Sequence, residues 1–491
     1  MRFSNFFFNR SLTCFRLALL AAVLPFLSNA QHEYRAEDSA WLKNHAHVLS
    51  IDPQNNDYSD LQSLRQSIGD SKMVMLGEQS HGDGTTFEAK IRLIKFLHEQ
   101  MGFDVIAFES GFYDCSKAWE SFCNNENAQT AAAQGIFGIW SYSQEVQPLF
   151  DYLADQNAKG HPLQLAGFDC QFTGGASHKF IDDLESKLTL INSQALQSAS
   201  WIDFRKWLSS LAEYKFSPTP KPKELKDFDE TLSRITGEFS DSKELPESDR
   251  QFWIQECRSL KGLRGMAWTY RGKPLVQLVL HVGSIVSMRD AQMAENLLWL
   301  NSVRFHDTKI IVWAASMHIQ HGTHYRFHIT SMGTLVHDQL GSNVYSIGFI
   351  AGKGKVAACF EPESSTINEP GKESLEAMIN GAGFENAFID FRNLPEENFL
   401  HGEIEAGPFG YTRQKRIWPE YFDGMIYTHT MKRSTCRSFH PNGETDVIMY
   451  YDENQNMNKT LRYDEHGKKL KEAIYKNGKL VSRTDFGERS D

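Results

Sequence analysis

Met73-Val-Met-Leu-Gly-Glu-Gln-Ser-His-Gly82 is the stretch on which the reading of this chain turns. Four apolar residues, Met73 to Leu76, run into a glycine-flanked loop that carries Glu78 and His81. A short apolar run bounded by turn residues fits a buried strand. Downstream, Phe87, Ile91, Ile94, Leu97 and Met101 recur at spacings of three and four, which makes one apolar face of a helix. Thr85 with Glu88 fits a capping box at its start, and Gly102 fits its stop. A second apolar run, Val105-Ile-Ala-Phe108, ends in Glu109. In open α/β sheets ligands bind outside the carboxyl ends of the strands. Two acids and a histidine converging there suit proton transfer, so the chain reads as an enzyme.

The alternation continues. Leu163 to Ala166 reads as a third strand ending in Gly167-Phe-Asp169, Lys309 to Trp313 as a fourth leading to His318, and Val344 to Ile350 as a fifth. Strands alternating with helical patterns predict an α/β fold, a mainly parallel sheet flanked by helices. Between the third and fourth strands lies a large helical insertion, broken by the exposed linker Ser217-Pro-Thr-Pro-Lys-Pro222. It either supplies a lid and substrate walls or simply covers the sheet. Pro274 to Leu300 reads as one long, mostly buried helix carrying Arg289 and Asp290. The tail differs: Phe439 to Gly443, Tyr463 to Gly467 and Tyr475 to Gly478 each place an aromatic residue shortly before a turn glycine. This predicts a small C-terminal β-hairpin repeat module. It resembles the MORN-variant repeats of exported bacterial proteins, which are accessory, so no catalytic role falls to it. The boundaries expected are a signal peptide at 1–30, a catalytic domain at 31–432 and the repeat tail at 433–491.

The signal peptide is read from Arg2, Arg10 and Arg16, the apolar run Leu17 to Leu27, and the small-residue site Ser28-Asn-Ala30. The run is short for a membrane span, and Cys14 precedes it, unlike a lipoprotein cleavage site. An exported protein, periplasmic or extracellular, with no integral span after cleavage, is the expectation. Losing three arginines takes the formal charge from −11 to −14. An acidic chain without a basic stripe excludes nucleic acid as a natural partner. The six remaining cysteines are too sparse for a disulfide scaffold and form no CxxC motif. Cys115 and Cys123 read either as a local bridge or as two buried thiols. Neither a P-loop nor a dinucleotide glycine pattern is present, and Gly352-Lys-Gly354 is too slight for a phosphate site.

The candidate chemistry follows from residue types. An imidazole titrates near neutrality, and a carboxylate beside it fixes its tautomer and stabilises the imidazolium. Glu78 or Glu109 fits that partner for His81, and His318 would enter the same cleft. Arg289 is costly to bury unpaired; it would pair with Asp290 or a sheet-end acid, or bind a substrate carboxylate or developing oxyanion. Asp169 reads as a site acid or a cap. Trp313 reads as a packing aromatic. There is no GxSxG elbow, and Ser80 lacks the usual turn context, so water is the natural nucleophile. The same Glu and His residues suit zinc or manganese, though no HExxH pair is present.

These motifs together resemble the erythromycin esterase family. They are Gly77-Glu78-x-x-His81-Gly82, Gly102-Phe103-x-x-Ile106-Ala107-Phe108-Glu109, Gly167-Phe168-Asp169, Arg289-Asp290-x-x-Met293-Ala294-x-Asn296, Trp313-Ala314-x-x-x-His318 and Tyr421-Phe-Asp-Gly424 through Tyr427. The resemblance spans roughly residues 40 to 431. It implies metal- and cofactor-independent hydrolysis of an ester or lactone, a small-molecule substrate, and His81 as the general base that activates water. It implies Glu78 and Glu109 as acidic partners and His318 as the second active-site histidine, and Arg289 matches a family arginine; Arg289 and Asp169 are expected to bind the substrate. Ala315-Ser316 departs from the His-Asn of many members, so substrate contacts are expected to differ. Two other readings stand beside this one: a metal-dependent hydrolase using the same four side chains, and an exported binding protein that keeps the cleft without turnover. The repeats would attach the chain to a surface or a protein partner.

Overall fold

A computed structural model describes residues 35–269, 282–322, 330–476 and 478–486. The expected signal peptide therefore lies outside the described residues. The strands are β1 (His47–Val48), β2 (Met73–Leu76), β3 (Phe103–Gly111), β4 (Gln164–Asp169), β5 (Lys309–Trp313), β6 (Val344–Val356), β7 (Ser365–Ile367), β8 (Asn386–Asp390), β9 (Ile404–Ala406), β10 (Gln414–Arg416) and β11 (Gly424–Met431). β9 and β10 form a separate hairpin, and the others join one sheet in the order β1-β8-β11-β6-β2-β5-β3-β4, with β7 paired to β6. From β11 to β4 every pairing is parallel, and β8, β1 and β7 add antiparallel edges. The mainly parallel sheet expected from the alternation is what forms.

Helix Gly84–Met101 packs its apolar stripe on one face of the sheet, where Phe87, Ile91, Ile94 and Leu97 are fully buried. Each contributes about 1.5–3 kcal/mol relative to exposure. Helices Val282–Trp299 and Met332–Leu340 cover the other face through Met293, Leu297, Met332 and Val336. The insertion builds a third core around Phe180, Trp207, Phe228 and Trp253. Within it, the proline-rich linker separates helices Trp201–Ala212 and Pro222–Asp241, with Pro222 in the latter's first turn.

Several expectations need correction. Helix Gly84–Met101 starts after Asp83, and Thr85 caps nothing. Its hydroxyl donates to Thr430 O and accepts from Lys432 N, tying the helix start to the end of β11. Gly102 does end the helix, at φ +69°. β3, β4 and β6 run past their apolar cores, because ladder pairing carries on where hydrophobicity stops. The Pro274 to Leu300 helix is described only from Val282, its earlier part lying outside the described residues, and its first turns are partly exposed. Cys115 and Cys123 are not bridged, and only Cys115 is buried.

The tail forms one antiparallel sheet, β12 (Arg437–Phe439), β13 (Thr445–Tyr451), β14 (Met457–Tyr463), β15 (Lys469–Lys476) and β16 (Lys479–Asp485), each strand beside the next. Gly443, Gly467 and Gly478 take positive φ in three of its turns, the conformation that favours glycine. The fourth turn uses Gln455 at φ +59°, so no glycine marks it. Buried Arg433 fastens this sheet to the rest: its guanidinium donates to Ala358 O, Glu361 O and Gln455 O and stacks on Tyr451.

Candidate active site

Glu78, Glu109, Asp169 and His318 all leave the carboxyl ends of adjacent strands. Leu76, Trp313 and Phe108 are paired in register across β2, β5 and β3, and all belong to one core. Side chains alternate faces along a strand. Glu78, two residues past Leu76, therefore stays on the side of helix Gly84–Met101. Glu109, one past Phe108, turns to the side of helix Val282–Trp299. The two carboxylates straddle the sheet edge.

On the first side, Glu78 is fully buried and collects three donors. His81 Nδ1 lies 2.9 Å from Oε1, Trp140 Nε1 donates to Oε1 at 3.0 Å, and Lys90 Nζ donates to Oε2 at 2.7 Å. A carboxylate only accepts, so Nδ1 carries the hydrogen and Nε2 offers a lone pair. The His81 side chain is 42 % exposed and packs edge-on against Trp140. Burial depresses its pKa, but the Glu78 hydrogen bond and charge, with Glu109, raise it above the ordinary imidazole value. Lys90 also rests on the Trp313 ring at 4.2 Å, and Trp313 stacks on Phe108, the packing role expected of it.

On the second side, Arg289 lies among carboxylates. It donates to Asp169 Oδ2 at 2.6 Å and to Glu109 Oε1 at 2.8 Å through Nη2. Asp290 is not its partner. Neighbours on a helix diverge, and Asp290 instead accepts from His318 Nδ1 at 2.9 Å and from Met332 N at 3.0 Å. His318 Nε2 faces Glu109 Oε1 at 3.3 Å and Arg289 Nη1 at 3.1 Å. Burial lowers the His318 pKa, yet Asp290 and Glu109 together lift it to about 10, which favours the protonated ring at neutral pH. Burial likewise works against the Glu109 charge, but His318 and Arg289 hold it well below the usual carboxylate range.

Segment Ala314–Ser316 ties the halves together. Ala315 N donates to Glu109 Oε2 at 3.0 Å, Ser316 N donates to Glu78 O at 2.8 Å, and Lys90 Nζ reaches Ala314 O at 3.3 Å. Ser316 packs against Gly77, where a Cβ would come within 2.5 Å of its hydroxyl. The structure thus places all six expected residues, His81, Glu78, Glu109, His318, Arg289 and Asp169, on this edge. Lys90 and Trp140 were not anticipated as partners of Glu78. Lys90 had a signal, since it follows Phe87 by three on the apolar stripe, where a lysine stays only if paired. Trp140 had none.

A pH test follows from His318. A group whose folded pKa is raised lends stability that is full below the unfolded value of 6.5 and is lost as pH rises through about 10. The urea-stability advantage of the wild type over His318→Gln should therefore shrink across that window. An advantage unchanged between its two ends would contradict the imidazolium.

Among the described residues, the side chains with donor atoms close enough to share a cation are His321, His337 and Asp423, not the Glu78–His81–Glu109–His318 set. Asp423 is already held by Arg392 Nε and Ser346 N, each at 2.7 Å.

The erythromycin esterase family model matches residues 98–452, a span that begins after Glu78 and His81. A putative hydrolase, YbfO, of Bacillus subtilis (strain 168) is 27% identical over 440 residues, 84% of this chain and 96% of its own length. Erythromycin esterase type II of Escherichia coli is 24% identical over 388 residues, 73% of this chain and 89% of its own. A Bacillus cereus protein of known crystal structure superposes with TM-score 0.68 at 18% identity, over 82% of this chain and all of that one. A mutant of the erythromycin esterase EreC in its open conformation gives 0.61 at 16%, over 79% and 98%.

Proposed function

This chain belongs to the erythromycin esterase family of hydrolases, and from that premise we propose that it cleaves a carboxylic ester or lactone with water activated by His81. The observation that carries the reading is the Glu78–His81 pair: one ring nitrogen fixed on a buried carboxylate, in a side chain that is 42 % exposed at the sheet edge. Nε2 takes a proton from water as its oxygen bonds to the carbonyl carbon. The tetrahedral oxyanion forms beside the cationic Arg289 and His318, which also position the substrate. Collapse breaks the bond to the leaving oxygen, and His81 returns the proton there. Glu109 and Asp169 hold Arg289 and His318 in place.

The metal-dependent alternative fits less well. Lys90 and Arg289 already compensate the carboxylates that a divalent ion would need. We also propose export to the periplasm or beyond, on the N-terminal pattern, and a MORN-like accessory role for the tail that attaches the enzyme to a surface or partner. The substrate itself is a small molecule of the ester or lactone class.

Glu78 both orients His81 and raises its pKa, so the basic form prevails only above the ordinary imidazole range. The acid limb of kcat/KM should lie above that range, and Glu78→Gln should move it to lower pH while reducing the plateau about 10²-fold or more, as loss of an orienting acid does. A pH profile on an aryl ester checks this. A limb that stays put in Glu78→Gln would remove Glu78 from control of His81.

A further inference from the structure

The loop that carries His81 rests on two segments distant in sequence. A Cβ on Gly82 would meet Ala357 C at 2.3 Å, and one on Gly84 would meet Arg433 O at 2.5 Å. Ser434 N donates to Gly82 O at 2.9 Å. Each of those segments ends in a buried cysteine: Cys359, fully buried after β6, and Cys436, 4% exposed at the entry to the tail. One hydroxyl spans the two. Tyr451 Oη donates to Cys359 O at 2.8 Å and accepts from Cys436 N at 3.1 Å. One hydroxyl thus joins the Cys359 carbonyl to the Cys436 amide and holds the two backbones side by side. Cys359 Sγ lies 3.9 Å from Gly138 O, and burial together with the neighbouring Cys436 thiol pushes its pKa up. The structure holds both as free thiols.

We propose that Cys359 and Cys436 form an intrachain disulfide that clamps together the two segments cradling the His81 loop. The oxidant is a small disulfide or an oxidised dithiol protein, by exchange. One cysteine thiolate attacks a sulfur of oxidised glutathione, giving a mixed disulfide and one glutathione thiol. The second then attacks the protein sulfur, forming the Sγ–Sγ bond and releasing the other glutathione thiol. Both protons leave with the two glutathiones. The bond closes a long loop and restricts the unfolded chain, so its expected effect is resistance to unfolding rather than a change in basal turnover.

The test uses residues 31–491 equilibrated with oxidised glutathione, then unfolded in the presence of iodoacetamide, digested and weighed. The expected result is a peptide pair joining Cys359 to Cys436, about 2 Da below the sum of its parts and split by reductant. The melting temperature should fall by several degrees on reduction, and Cys359→Ser or Cys436→Ser should abolish both the link and that dependence. Should either variant fail to fold, the oxidised-against-reduced comparison on the wild type decides alone. Both cysteines alkylated after oxidation, or a link to any other cysteine, would overturn the proposal.

Discussion

His81→Ala is expected to lose about three orders of magnitude or more in kcat, the usual cost of removing an essential base. The loss should be catalytic, not structural. His81 is 42 % exposed at its side chain and makes one hydrogen bond, to Glu78, so its removal empties no core. The variant should melt close to the wild type, and KM should change far less than kcat, because the base acts on water and not on the substrate's binding groups. Steady-state kinetics on an activated aryl ester, beside a thermal melt, separates the two effects. Near-normal kcat in a folded variant would take His81 out of the mechanism.

Lys90→Met is expected to be the most damaging single change to stability near the site. Lys90 and Glu78 are both fully buried, 2.7 Å apart. Removing the ammonium leaves the buried Glu78 charge with only the His81 and Trp140 donors and no fixed cation, at a cost of about 3–5 kcal/mol. The partner change Glu78→Gln in the Lys90→Met background removes the stranded charge and should restore much of that stability. It should not restore turnover, because His81 loses the carboxylate that fixes its tautomer. Urea unfolding of the two single variants and the double variant forms a closed cycle that isolates the coupling. Independent, additive effects would show that the two side chains do not act as a pair.

Much of this site was legible in the amino-acid sequence. Four apolar runs ending in Glu78, Glu109, Asp169 and the approach to His318 announced strands and put their chemistry at one edge, since a parallel sheet carries its strand ends together. The parallel order itself, with β2 between β5 and β6, was not legible, because it is fixed by pairings hundreds of residues apart. The same limit hid the division of the site into two faces. Period-two alternation places Glu109 opposite Glu78 only once the register Leu76–Trp313–Phe108 is known. Asp290 misled for a local reason: adjacency in sequence suggested a pair with Arg289, whereas successive helix residues point apart, and Asp290 reaches His318 instead. Thr85 looked like a cap but serves β11, a contact of sequence separation 345 that no local pattern encodes. In the tail, three glycines marked three turns, while Gln455 adopted the fourth without any such mark.

Hydrolysis of a panel of small aryl esters and macrolide lactones by residues 31–491, with and without EDTA, tests the central claim most directly. The expected result is release of the free acid from at least one substrate, at a rate the chelator leaves unchanged. Turnover abolished by EDTA and restored by zinc, or a lactone bound tightly with no acid released, would contradict it.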